Sequence, residues 1–118
     1  MNKWKSKVAT KEIYCDGYNR VLYHGTPVVS FNHDNIVLDT GGWETVTTKK
    51  RMNEVSHMYK LGFSVYQKNN QWYVYYMGLT FIFTSDVVSF PRCHEEKETY
   101  AMKMRILHND NNIIFGEA

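Results

Sequence analysis

Thr40-Gly41-Gly42-Trp43-Glu44-Thr45-Val46-Thr47-Thr48-Lys49-Lys50-Arg51-Met52-Asn53 is the stretch on which the fold turns. Before it, short β-type segments alternate with tight-turn residues. After Gly41-Gly42 that rhythm stops, and Met52, Val55 and Tyr59 fall at i, i+3 and i+7, the apolar stripe of an amphipathic helix. Threonines ahead of such a run read as an N-cap, and the spacing predicts a helix over about Thr48–Lys60. Leu61-Gly62 supplies its stop, since glycine takes the left-handed conformation freely. The first turn of that helix then holds Lys49, Lys50 and Arg51. A helix N-terminus carries about half a positive charge, and each exposed cation there costs about 0.3–1 kcal/mol. An anion held by Thr47, Thr48, Lys49, Lys50 and Arg51 would offset the conflict. Three long side chains extended into water would make the conflict small.

Turn chemistry marks the strands on either side. Lys11 to Cys15 reads as a strand, Asp16-Gly17 as a tight turn and Tyr18–Tyr23 as the returning strand. Gly25 and Pro27 punctuate before Val28–Phe31, and Asn32 to Asn35 turns the chain into Ile36–Asp39. Beyond the helix, Phe63–Gln67 sets Phe63 and Val65 on one face against Ser64 and Tyr66. Lys68-Asn69-Asn70 leads into Trp72–Tyr76, and Met77-Gly78 into Leu79–Thr84. Trp72–Tyr76 is aromatic on both faces, which places it centrally in a sheet or under a second cover.

The tail supports two readings. Glu95, Glu96 and Glu98 followed by Lys103, Arg105 and His108 match a helix dipole, with Tyr100, Ala101, Met104 and Leu107 as the apolar stripe. Tyr100, Met102, Met104 and Ile106 also alternate, and Asn109–Asn112 would turn into a strand at Ile113–Phe115. The charge order favours the helix. The fold class expected is therefore α+β: a mostly antiparallel meander carrying one central helix, with a C-terminal helix. One domain, 1–118, has its core at about 11–90 and a C-terminal extension at 91–118. Met52, Val55 and Tyr59 should be buried against Val65, Trp72 or Val74, and Trp43 should lock the loop before the helix.

A chain of 118 residues is long enough to bury a core without staples. Cys15 and Cys93 are too few for a disulfide framework, no signal peptide is recognisable, and no apolar run approaches the ~20 residues of a membrane helix. The reading is a soluble protein of a reducing cytoplasm with no membrane partner. The net charge of +2 makes no global case for nucleic acid. Its distribution is less even. Lys3, Lys5, Lys7 and Lys11 face Glu12 alone at the start, and Lys49, Lys50, Arg51 and Lys60 face Glu54 around the helix. Residues 63–91 hold only Lys68 and Asp86 among charged residues, with half of the chain's aromatics. Basic ends on an aromatic sheet point modestly to anionic partners.

Catalytic and metal motifs are missing. There is no Cys-x-x-Cys, His-Glu-x-x-His or P-loop pattern, and Cys93-His94 lacks a second pair at ligand spacing. His24, His33 and His57 are scattered over a turn, a loop and a helix. Asp34 and Asp39 flank one strand and face opposite sides, and Ser56, Ser64 and Ser85 have no elbow glycines. No catalytic residue, metal or cofactor is assigned, and an enzyme is not expected. The remaining constellation is aromatic. Tyr66, Tyr73 and Tyr75 would make a stacking platform or interface, with Lys68, Lys49 and Arg51 on phosphates, each stacked base contributing ~1–3 kcal/mol. The competing reading packs those rings under the helices. Neither an RNP motif nor a helix-turn-helix pair is present.

The segment Ile36-Val37-Leu38-Asp39-Thr40-Gly41-Gly42-Trp43, with Thr45, Thr47, Thr48, Lys49, Arg51, Met52 and Asn53, then Phe63–Gln67 and Trp72-Tyr73-Val74, resembles a family of small proteins from tailed phages and prophages. The likeness covers roughly residues 20–84. Glu44 departs from it, standing where many relatives would carry a basic residue. The resemblance implies a phage setting in the host cytoplasm and no particular chemistry. It raises two binding roles: an accessory protein that engages nucleic acid or a nucleic-acid-handling host protein, and an anti-restriction or anti-CRISPR inhibitor acting by protein–protein contact. A small enzyme or nucleotide-ligand binder comes third. The doubly aromatic Trp72–Tyr76 strand, with Phe81 and Phe83 on the next, also predicts a homodimer, because one short helix covers too little apolar surface.

Overall fold

The computed structural model describes residues 10–94 and 113–114. Strands β1 (Thr10–Cys15), β2 (Tyr18–Tyr23), β3 (Thr26–Phe31) and β4 (Asn35–Asp39) precede a single described helix, α1 (Val46–Met58). Strands β5 (Ser64–Lys68), β6 (Gln71–Tyr76), β7 (Leu79–Ile82), β8 (Val87–Pro91) and β9 (Ile113–Ile114) follow. They form two antiparallel sheets, ordered β1-β2-β3-β4-β8 and β5-β6-β7-β9.

This overturns the α+β expectation of one meander carrying helices. The described structure is sheet-dominated, with two sheets and one helix. The physical cause lies on both sides of α1. After the helix, β5, β6 and β7 pair with one another instead of joining the first meander. β8, which the sequence reading left unassigned, then crosses back to β4, with Ile36 opposite Phe90 and Leu38 opposite Val88. Val88 and Phe90 point inward while Val87 and Ser89 are exposed. Pro91 ends this edge strand, where a missing N–H is tolerated. The C-terminal helix expected at Glu95–Leu107 lies outside the described residues. Ile113–Ile114 is a strand on β7, within the Ile113–Phe115 strand of the alternative reading of the tail.

Val21, Val29, Phe31, Ile36, Leu38, Val88 and Phe90 fill the inner face of the first sheet, and Val65, Trp72, Val74, Tyr76, Leu79 and Phe81 that of the second. Phe90 ties them together: its ring lies 5.2 Å from Phe81, 4.7 Å from Tyr76 and 6.2 Å from Phe63. β6 is central in the second sheet, with Trp72 and Tyr76 inward and Tyr73 and Tyr75 on the outer face.

α1 packs against β5, β3 and β2. Met52 and Val55 are fully buried, as the stripe required, but the ring of Tyr59 lies 5.0 Å from Phe31 of the first sheet. Two polar side chains fasten the helix to the second sheet. Asn53 Nδ2 donates to the Val65 carbonyl at 2.9 Å while its Oδ1 accepts from the Val65 N–H at 2.8 Å. Ser56 Oγ donates to the Phe63 carbonyl at 2.7 Å and accepts from the Phe63 N–H at 3.0 Å. The helix ends in a Schellman arrangement: Leu61 N–H bonds the Ser56 carbonyl and Lys60 N–H the His57 carbonyl. Lys60 therefore holds the left-handed position, at φ 54°, two residues before the glycine expected there.

Candidate functional site

The helix begins earlier than its apolar stripe suggests. Thr45 is the N-cap, its hydroxyl accepting from the Thr48 N–H at 3.2 Å and lying 3.0 Å from the Thr48 hydroxyl. α1 thus starts at Val46, and Lys49, whose N–H already bonds the Thr45 carbonyl, opens the second turn. The basic triplet is displaced from the N-terminal N–H groups, so the conflict that motivated an anion site falls away.

The triplet is also scattered. Lys49 donates to Gln67 Oε1 at 3.2 Å and sits 5.6 Å over the Trp72 ring, on the second sheet. Lys50 is exposed. Arg51 is only 7% exposed, is paired with Glu54 and lies 5.4 Å over the Tyr23 ring on the first sheet. Thr47 is exposed, whereas Thr48 is buried and held by Thr45. The sequence-predicted anion site is therefore not assembled.

What the helix start does assemble is a cleft. Thr40 caps the end of β4: its N–H bonds the Asp86 carbonyl at 2.8 Å and its hydroxyl bonds Asp86 Oδ1 at 3.2 Å. The chain then turns through Gly41-Gly42, where Asp39 Oδ1 accepts from the Gly41 N–H at 2.7 Å. Gly41 is required twice over. Its φ is +64°, and an added Cβ would stand 2.6 Å from Thr26 Cγ2. That close approach sets the loop against the β2–β3 hairpin, whose two-residue turn His24-Gly25 has positive φ at both positions.

Between loop and hairpin lies a cleft of about 450 Å³ with largely apolar walls, lined by Tyr23, His24, Thr26, Val28, Thr40, Trp43, Thr45 and Thr48. Its size suits a small ligand or an anchoring side chain. Trp43, expected to lock the loop, is instead 67% exposed while lining the cleft, and Val46, the first residue of α1, is 75% exposed. His24 packs edge-on against Tyr23, ring centroids 4.5 Å apart. Sequence reasoning singled out Trp43, Thr45 and Thr48 but missed Tyr23, His24, Thr26 and Val28. The one local signal for these was a glycine pair with no purpose of its own.

The aromatic platform lies elsewhere. Tyr66 and Tyr73 face each other across β5 and β6, stacked at 5.2 Å, with Tyr75 further along the same outer face. Lys68 shares that face by alternation, but Lys49 is held by Gln67 over Trp72 and Arg51 is buried against Tyr23, so the cations proposed for phosphates do not gather there. Ser56 is buried in its bonds to Phe63. Asp34 and Asp39 stand at opposite ends of β4. His33 and His94 stack at 4.3 Å near the β3–β4 turn, away from the cleft. Among the described residues no three His, Cys, Asp or Glu side chains are grouped to hold a metal ion.

A family model described as Kyanoviridae Gp96 protein, a phage family, matches residues 1–106 of the chain. Neither the curated proteins nor the solved structures contain a match.

Proposed function

We propose, from the premise that this chain belongs to the Kyanoviridae Gp96 family of phage proteins, that it acts by binding. Its contact surface is the Trp43–Val46 ridge with the cleft beside it, and its target is a host protein that handles nucleic acid. The observation that carries this reading is the exposure of Trp43, which lines an apolar cleft, together with that of Val46 at the first position of α1. Tryptophan is enriched at the energetic centres of protein interfaces, and burying the apolar surface of Trp43 and Val46 against a partner is favourable. Direct phosphate binding draws less support, because it needs several cations on one surface and Lys49, Lys50 and Arg51 diverge. An inhibitor of restriction or CRISPR machinery is one form of the same reading.

Affinity capture from host lysate tests it. The intact chain should retain a host protein that Trp43→Ala and Val46→Asp lose, both variants keeping the wild-type melting temperature because these side chains are exposed. Oligonucleotide titration at two salt concentrations is the control. Tight binding that weakens steeply with salt would favour nucleic acid and displace the protein-target reading.

A second copy of the chain is the other partner for which an observation speaks: the half-buried Tyr66–Tyr73 stack and Tyr75 on the outer face of the second sheet. Sedimentation equilibrium giving a concentration-dependent mass, abolished by Tyr73→Glu, supports a homodimer. A monomer at every concentration removes it.

A further inference from the structure

Among the described residues, three carboxylates stand close to residues that line the cleft. Asp39 and Asp86 lie at its margin, hydrogen-bonded through one oxygen each to Gly41 N–H and to the Thr40 hydroxyl. Glu44 is exposed between Trp43 and Thr45, both of which line the cleft. Among the described residues none of these three carboxylates is paired with a cation. The cations nearby do little to balance them. Arg51 is buried against Tyr23 and paired with Glu54, and Lys49 is directed to Gln67 and Trp72 on the second sheet. Lys11 follows Thr10, whose Cα partner is Tyr23.

Resting on the binding reading above, we propose that the segment of the partner protein received here is cationic, and that an arginine or lysine side chain enters the cleft. Each wall suits part of such a side chain. Val28 and the methyl groups of the threonines receive an aliphatic stem, which long basic residues readily bury while their charge stays outside. Trp43 offers an exposed aromatic face to the charge. Glu44, exposed between Trp43 and Thr45, and Asp86, bonded to the Thr40 hydroxyl of the wall, are the carboxylates that would accept its N–H groups, and a guanidinium matches a carboxylate in two parallel bonds. An acidic peptide or a phosphate backbone meets three like charges instead. The partner surface this end fits is a basic one, the kind that contacts nucleic acid in other settings.

NMR titration of the full isotopically labelled chain tests the inference with two capped synthetic peptides, one carrying alternating arginine and leucine, the other with glutamate for every arginine. The arginine peptide should shift the amides of His24 and Gly41–Thr48 saturably, and the glutamate peptide should not. Glu44→Lys should weaken the arginine peptide by about fivefold without unfolding the chain, since the side chain is exposed. Shifts confined to other residues, an equal response to the glutamate peptide, or indifference to Glu44→Lys would overturn the inference. The two levels separate in lysate capture. Trp43-dependent capture indifferent to Glu44→Lys removes only the cationic segment, whereas capture indifferent to Trp43 removes the binding reading beneath it.

Discussion

Asn53 does with one side chain what a neighbouring strand does with its backbone. Its amide offers a donor and an acceptor at the spacing of a peptide group, and both are used on Val65. Asn53→Ala should lower stability by about 1–3 kcal/mol in urea unfolding, because a partly buried N–H and C=O lose their partners together. A loss within about 0.5 kcal/mol would mean that water replaces the amide at little cost. Lys60 gives the opposite sign. It holds a left-handed backbone that favours glycine, so Lys60→Gly should raise stability by about 0.5–1 kcal/mol, read as an upward shift of the urea midpoint. These roles were only partly legible. Asn53 stood inside the phage-like segment with no reason attached, and three threonines at 45, 47 and 48 offered three caps. A hydroxyl caps whichever turn lets Met52 and Val55 reach the core, so packing chose Thr45.

At the scale of elements, a shift of two residues in α1 changed the meaning of its charges. With Thr45 as cap, the Lys49–Arg51 triplet moves to the second turn and fans out around it, toward the second sheet, the solvent and the first sheet. Periodicity gives the buried face of a helix and leaves its ends to local competition. β8 escaped notice because only two inward residues, Val88 and Phe90, carry its pattern. The end of β8 leads to a titration. The Tyr76 hydroxyl accepts from the Cys93 N–H at 2.9 Å, and burial, partly opposed by that bond, holds its pKa above the ordinary value of about 10. The folded chain therefore keeps this proton where the unfolded chain has lost it. The resulting stability is complete below about pH 10 and is lost as pH rises through the raised folded value. Tyr76→Phe should cost about 0.5–1.5 kcal/mol near neutrality, yet show a flatter alkaline decline in unfolding measured across pH.

For the whole molecule, the pairings that sequence could supply are those between neighbours: β1 with β2, β2 with β3, β3 with β4, β5 with β6 and β6 with β7. The pairings that make two sheets, β4 with β8 and β7 with β9, join segments far apart and leave no local trace. The cleft was half legible for the same reason. Its loop side lies in one stretch of sequence, while Tyr23 and His24 arrive through packing around Gly41. Phe90 is where the long-range closure concentrates, since it touches both sheets. Phe90→Ala should cost about 3–5 kcal/mol. In the parent protein, far-UV circular dichroism and tryptophan fluorescence should lose their signals in one coincident transition, whereas separate midpoints would show sheets that melt independently.

The clamp of α1 on β5 also bears on how the protein behaves in a crowd. Ser64–Lys68 and Gln71–Tyr76 form an aromatic, low-charge hairpin of the kind that recruits identical chains into cross-β fibrils when an edge lies open. Asn53 and Ser56 occupy the backbone groups of Val65 and Phe63 at that edge, so the helix serves as a guard against polymerisation as well as a part of the core. In prolonged incubation with thioflavin T, the Asn53→Ala protein should seed fibrils under conditions where the parent stays dispersed.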